Sequence, residues 1–265
     1  MIRLLSFAAA FACFALTGQA QEPFNYHKAG SLKPKTAHGA GSVGDTKTTL
    51  VDPTMRFPLE APPAFANSQV FAKGGNCYGR GKDCPYDLVK FANGEWHAKF
   101  SQKDPENFKY PWRDNFCEDR GYRTVQCAAS ANGHQGQDIR PKTAEIDKYY
   151  VVAVHDGTVS WQSSNLTLTR VARPSEGPAY RINYVYRHIN PSKKLVASGL
   201  AKQGQRLAYV ANFQGTDRTT VHLHFEIVMP FVHNGKTKIG VVNPYKSLVA
   251  AYERLLDQQG KELAE

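Results

Sequence analysis

Hydrophobic and polar positions alternate with period two through much of the second half of the chain. The runs Tyr149–Val154, Leu166–Val171, Tyr180–His188, Arg206–Asn212 and Thr219–Met229 are rich in β-branched and aromatic residues, and each predicts a strand. Asp156-Gly157 ahead of Thr158–Trp161 is a hairpin turn signal. Short strands separated by turns predict a mainly β, antiparallel architecture. Only the end differs. Tyr245, Leu248, Val249, Tyr252, Leu255 and Leu256 follow helical spacing, which predicts a helix within Pro244–Glu265 running into a charged tail.

The first half shows neither period. Residues 21–67 mix Pro, Gly, Lys and Thr, as in Ser31-Leu32-Lys33-Pro34-Lys35 and Ala61-Pro62-Pro63, and read as an extended or flexible arm, either a tether or a strap over the domain. Residues 68–132 hold Cys77, Cys84, Cys117 and Cys127 together with Trp96 and Trp112. They read as a disulfide-stapled loop region packed on the β-rich second half. The expected organisation is a leader at 1–20, the arm at 21–67, the stapled region at 68–132, a β domain at 133–250, and the helix and charged tail at 251–265.

Composition adds a compartment. A chain of 265 residues with 42% hydrophobic content suffices for one substantial core and an appendage. Arg3, the apolar stretch Leu4 to Leu16 and the small-residue site Gly18-Gln19-Ala20 read as a secretory signal peptide. That stretch is shorter than the roughly 20 residues that span a bilayer, and no later segment is apolar enough to do so. Export favours disulfides among the four remaining cysteines, with the short spacings pointing to Cys77–Cys84 and Cys117–Cys127. No Cys-x-x-Cys pair argues for a four-cysteine zinc site. The formal charge of +10, about +9 without Arg3, suits an anionic partner. Nucleic acid ranks last among such partners, because the basic residues are scattered and no nucleic-acid motif is present.

Three stretches carry candidate chemistry. In Thr219–Val228 the strand period puts His222 and His224 on one face, where one can ligate a metal while the other handles protons. His134 and Asp138 offer an imidazole and a carboxylate four residues apart, both of which suit Zn²⁺. His188 ends an expected strand. A catalytic zinc site needs three protein ligands and an open position, and His134, Asp138 and one of the His222/His224 pair make three.

The ordered set His134-x₃-Asp138, Tyr186-x-His188 and His222-Leu223-His224-Phe225-Glu226 resembles the M23 peptidases. These are the lysostaphin/LytM-type zinc endopeptidases that cut peptide cross-links in bacterial peptidoglycan. Val152–Val159 is similar to the strand–turn–strand of that family, Val196–Gly199 with Lys202–Gln205 to its glycine turns, and Val242-Asn243-Pro244-Tyr245 to its closing Asn-Pro. The resemblance covers roughly Gly133 to Leu248. It implies an antiparallel β-sheet or sandwich groove, Zn²⁺ held by His134, Asp138 and His224, and His188 and His222 as the catalytic pair. Peptidoglycan stem peptides would be the substrate, cut by a zinc-activated water. The implied location is the periplasm, or else the extracellular space. The alternative is a non-catalytic relative that binds peptidoglycan or activates other wall hydrolases. His155 and His233 match no ligand position and are expected at the surface. Gln137 before the aspartate, and Arg140 after it, depart from the family pattern.

Overall fold

The computed structural model describes residues 22–29, 50–69, 88–90, 96–98, 101–123, 132–233 and 235–263. The expected leader at 1–20 and Cys77, Cys84 and Cys127 lie outside these residues. The fold is mainly β, with antiparallel pairing throughout the main sheet and one α-helix among the described residues. No helix there is long and apolar enough to cross a membrane.

The main sheet has eight strands. From one edge their order is Gly199–Ala201, Gly157–Gln162, Asn165–Ala172, Tyr180–Arg187, Leu223–His233, Gln137–Pro141 and Ala64–Ala66. The eighth, Lys236–Val242, forms a hairpin with the far half of Leu223–His233. Leu223–His233 is therefore the central strand. It pairs with Tyr180–Arg187 on one side, and on the other with Gln137–Pro141 and then the hairpin.

The alternation in this strand divides chemistry from core. Leu223, Phe225 and Ile227 are fully buried on one face, and Phe225 packs against Tyr184 and Tyr186 with ring centroids 6.3 Å and 5.3 Å away. His224 and Glu226 occupy the other face. The strand begins at Leu223 rather than Thr219. Upstream, the Thr219 N–H donates to the Asn212 carbonyl and the His222 N–H to the Ala211 carbonyl, so the backbone is tied to a loop instead of a strand partner. A second, two-stranded sheet, Tyr150–Val152 with Arg206–Tyr209, stacks on the core face. The Tyr186 hydroxyl links the layers by donating to the Val152 carbonyl and accepting from the Val154 N–H, each at 3.1 Å.

The described parts of the expected arm pack into the domain. Phe24, Met55, Phe57 and Leu59 are core residues, and Ala64–Ala66 is an edge strand of the main sheet. Phe24 and Phe57 enter an aromatic cluster with Trp112 and Tyr252, with centroids 4.5 Å to 5.7 Å apart. Such burial stabilises by roughly 1.5–3 kcal/mol per side chain. The Trp112 indole N–H donates to the Ala64 carbonyl, and the Ala64 N–H donates to the Tyr252 hydroxyl.

The helix spans Tyr245–Leu256 and buries Tyr245, Leu248, Val249 and Tyr252 as its spacing predicts. It does not continue to Glu265. Asp257 takes a left-handed conformation, φ 52°, and Lys261–Leu263 pairs in parallel with Asn25–His27. Gly260 permits that return, because a Cβ there would lie 2.5 Å from the Phe24 ring.

Asp52 locks the arm to sheet and helix. Its Oδ1 accepts from the Thr54 and Met55 N–H groups, its Oδ2 from His155 Nε2 at 2.8 Å and from the Tyr184 hydroxyl, and its N–H donates to Ser247 Oγ. His155, expected at the surface, is thus a buried member of this network, 8% exposed. The side chain of His233 is outside the described part. Burial would raise the Asp52 carboxyl, but the His155 and Tyr184 hydrogen bonds outweigh it and hold it down to about 2. A depressed carboxyl stabilises the fold above its unfolded value, near 4, and that contribution is lost as pH falls toward 2. Urea unfolding between pH 2 and 6 is expected to show an acid loss of about 2 kcal/mol from this group. Asp52→Asn should flatten that limb, and an unchanged acid profile would refute the assignment.

Candidate metal centre

Strand register assembles the site. His224 lies directly opposite Asp138 on one neighbouring strand and opposite Arg187 on the other. The chain leaves the latter strand at His188, where φ of 61° is left-handed, and the imidazole turns toward His222 with centroids 4.6 Å apart. His134 arrives one turn ahead of Asp138. Gly136 between them is required by close approach, because a Cβ there would meet the Phe225 carbonyl oxygen at 2.6 Å and His224 Nε2 at 2.7 Å.

All five residues singled out in the sequence therefore meet. His134, Asp138, His222 and His224 are buried, and His188 packs against the latter two histidines. Asp138 Oδ1 is the hub, 3.2 Å from His134 Nε2, 3.1 Å from His224 Nδ1 and 3.3 Å from His222 Nε2. His134 Nε2 and His224 Nδ1 are 2.8 Å apart. One donor atom each from His134, Asp138 and His224 lies within 4.8 Å of the others, so the group is able to hold a metal ion.

The partners of the outer ring nitrogens assign the tautomers. His134 Nδ1 is 3.0 Å from the Asn115 carbonyl, which can only accept, so Nδ1 carries the proton and Nε2 the lone pair. His224 Nε2 is 2.9 Å from the Glu226 carboxylate, which leaves the lone pair on Nδ1. His188 Nδ1 faces the Phe213 carbonyl at 2.8 Å, and His222 Nδ1 the Thr220 carbonyl at 2.9 Å. Each of these two rings then keeps an unprotonated Nε2.

Charge follows the same plan. Burial would raise the Asp138 carboxyl, but His134 and His222 hold it well below the usual carboxylate range. Burial also opposes ionisation of Glu226, yet His224 and Arg187 bring it down to about 2. Arg187 Nε donates to Glu226 Oε1 at 2.6 Å. His224 is raised despite burial, because Asp138 and Glu226 flank both ring nitrogens. His188 is pushed well down by burial and by its histidine neighbours. Burial lowers His222 more than Asp138 lifts it. The site concentrates negative charge at Asp138 and leaves two neutral imidazoles beside it.

In the sequence Glu226 only closes the His222–Glu226 motif and carries no role there, although it stands two places after His224 on the same strand face. Asn115, 23 residues before Asp138, had no sequence signal. The Asp138 N–H donates to its Oδ1 at 3.1 Å, and its Nδ2 donates to Asp138 Oδ2 at 2.9 Å. Gln137 and Arg140 also acquire roles, because both bind the segments that carry or support Asn115. Gln137 Oε1 accepts from the Asn115 N–H at 3.1 Å, and buried Arg140 bonds the Asn67 side chain and the Ser68 carbonyl.

No family model matches the chain, and no curated protein matches it. Among solved structures it is similar to a Ruminococcus gnavus ATCC 29149 protein assigned as a glycyl-glycine endopeptidase, lytM. The identity is 20% over 49% of this chain and 51% of that one, with a TM-score of 0.33. It is also similar to LytU, at 21% identity over 49% of this chain and 84% of the other, with a TM-score of 0.21. The match thus spans about half the length of the first of these proteins. TM-scores this low carry no argument about activity, and the functional reading rests on the site itself.

Proposed function

We propose that the chain is an exported zinc-dependent endopeptidase that hydrolyses peptide cross-links of bacterial peptidoglycan. The observation that carries this is the convergence of lone pairs. His134 Nε2, Asp138 Oδ1 and His224 Nδ1 meet at 2.8 Å to 3.2 Å, with the outer nitrogen of each ring committed to an acceptor. Donors about 2 Å from a tetrahedral ion sit about 3.3 Å from one another, so the set fits Zn²⁺ and leaves a fourth position open. When bound, zinc supplies Lewis acidity, which polarises a carbonyl and acidifies water.

The protein supplies the rest. His222 Nε2 lies 3.3 Å from Asp138 Oδ1, and the His188 ring packs against His222 with centroids 4.6 Å apart, so two imidazoles whose Nδ1–H groups are held by carbonyls flank the ligand set. One can accept the proton of an attacking water, and the imidazolium so formed can pass it to the leaving amine. Before that transfer the Nε2–H of the same imidazolium can donate a hydrogen bond to the developing oxyanion. The choice of peptidoglycan follows the motif resemblance, the expected export and the +10 charge, which suits an anionic wall polymer. D-Ala to diaminopimelate cross-links in the periplasm are the bond class we favour.

Mass spectrometry of peptidoglycan digested with the zinc-loaded protein tests this directly. Cross-linked muropeptides should convert to monomers, with the new termini naming the bond. Unchanged cross-links alongside one bound zinc would favour the binding or activator reading instead. Glu226→Gln weakens the acceptor that orients His224, and zinc affinity is expected to fall about tenfold or more in a chelator competition. Wild-type affinity in that variant would detach Glu226 from the metal site.

A further inference from the structure

We infer that Asn115, from the region ahead of the β domain, is a positioning residue for the metal centre. The inference rests on the metal reading proposed for this site. Asn115 is completely buried and engages two of the three candidate ligands at once. Its backbone carbonyl accepts from His134 Nδ1–H at 3.0 Å, fixing that ring's tautomer. Its side-chain amide grips Asp138 at both the N–H, 3.1 Å, and Oδ2, 2.9 Å. Holding Oδ2 in this way turns Oδ1 toward the three imidazoles.

The turn that presents Asn115 is itself docked on the ligand segment. The Cys117 N–H donates to the His134 carbonyl at 2.9 Å, and the His134 N–H donates to the Glu118 carbonyl at 2.7 Å. Asn115 Nδ2 also donates to Glu118 Oε2, whose Oε1 accepts from Ser68 Oγ at 2.6 Å. From the strand, Gln137 Oε1 takes the Asn115 N–H. The turn is therefore a pre-formed bracket, and residues 113–118 belong to the metal centre as much as residues 133–138 do. Partners of this kind, behind the direct ligands, set ligand orientation and with it metal affinity.

The zinc dissociation constant, measured by competition with a chromophoric chelator, tests this in the full chain. Asn115→Ala, and the milder Asn115→Ser that keeps a turn-forming residue, should each weaken zinc about 10–100-fold. Asn243→Ala is the structural control, because Asn243 Nδ2 donates to Asp114 Oδ2 at 2.7 Å and steadies the same turn without touching either ligand. It should lower the melting temperature while changing zinc affinity less than about threefold. Equal affinity losses in the Asn115 and Asn243 variants would make Asn115 merely structural and overturn the inference. Wild-type affinity in both Asn115 variants would overturn it while leaving the zinc reading intact. A wild-type chain that took up no zinc would overturn both.

Discussion

Asp138→Ala should yield a folded protein that carries no zinc and cleaves no cross-links. The Asp138 Oδ1 atom is the point at which His134, His222 and His224 converge, each within 3.3 Å. It is also the only carboxylate among the three candidate ligands. Without it, two neutral imidazoles remain, and a dication loses both a ligand and the charge that offsets its dehydration. Elemental analysis after gel filtration should find zinc falling from about one per chain to under about a tenth. Asp138→Asn separates charge from shape, since the amide keeps the size of the side chain and one acceptor oxygen, which can serve either the Asn115 Nδ2–H or the imidazole side but not both, and loses the negative charge. Zinc should be largely lost there too. Retention of a full equivalent of zinc by Asp138→Ala would mean that the ion sits elsewhere and that the assignment is wrong.

The grouping of the candidate ligands was far more legible in the sequence than the elements that hold them. Strict alternation makes His224 and Glu226 share a face while Leu223, Phe225 and Ile227 share the other, and the structure follows that division. The helix start was equally readable from Tyr245, Leu248, Val249 and Tyr252. Its end was not, because the stop is a left-handed turn at Asp257, a residue type with no strong sequence signal for that conformation. The Lys236–Val242 strand escaped because it is an exposed hairpin arm, whose lysines and threonine carry no apolar period. The arm misled for a different reason. Its composition is that of loose chain, yet Phe24, Met55, Phe57 and Leu59 are buried in one hydrophobic core that only the folded sheet and helix create. His155 likewise looks like a surface residue until Asp52 and Tyr184, 103 and 29 positions away, come within reach. Asn115 belongs to the same class. Local pattern encodes the face of a strand, whereas groups behind the ligands are recruited by tertiary contact.

His188→Ala and His222→Ala are expected to retain zinc and lose catalysis, the reverse of a ligand's signature. Both rings spend Nδ1–H on backbone carbonyls, Phe213 for His188 and Thr220 for His222, which leaves the unprotonated nitrogen of each at Nε2. Their centroids are 4.6 Å apart, close enough for both to reach one attacking water and the carbonyl beside it. Removing a positioned proton-transfer group costs about 10²–10⁴ in rate, so kcat on a cross-linked muropeptide should fall by that range while zinc content stays near one. His222 is the more demanding test, because its Nε2 is 3.3 Å from Asp138 Oδ1, almost as near as His134 Nε2 at 3.2 Å. Geometry at Asp138 alone therefore does not separate ligand from catalyst; what separates them is the second contact. His134 Nε2 and His224 Nδ1 also lie 2.8 Å from one another, whereas the closest ring neighbour of His222 is His188. If His222→Ala lost zinc and His134→Ala kept it, the two histidines would exchange roles, and the proton would have to move through His188 alone.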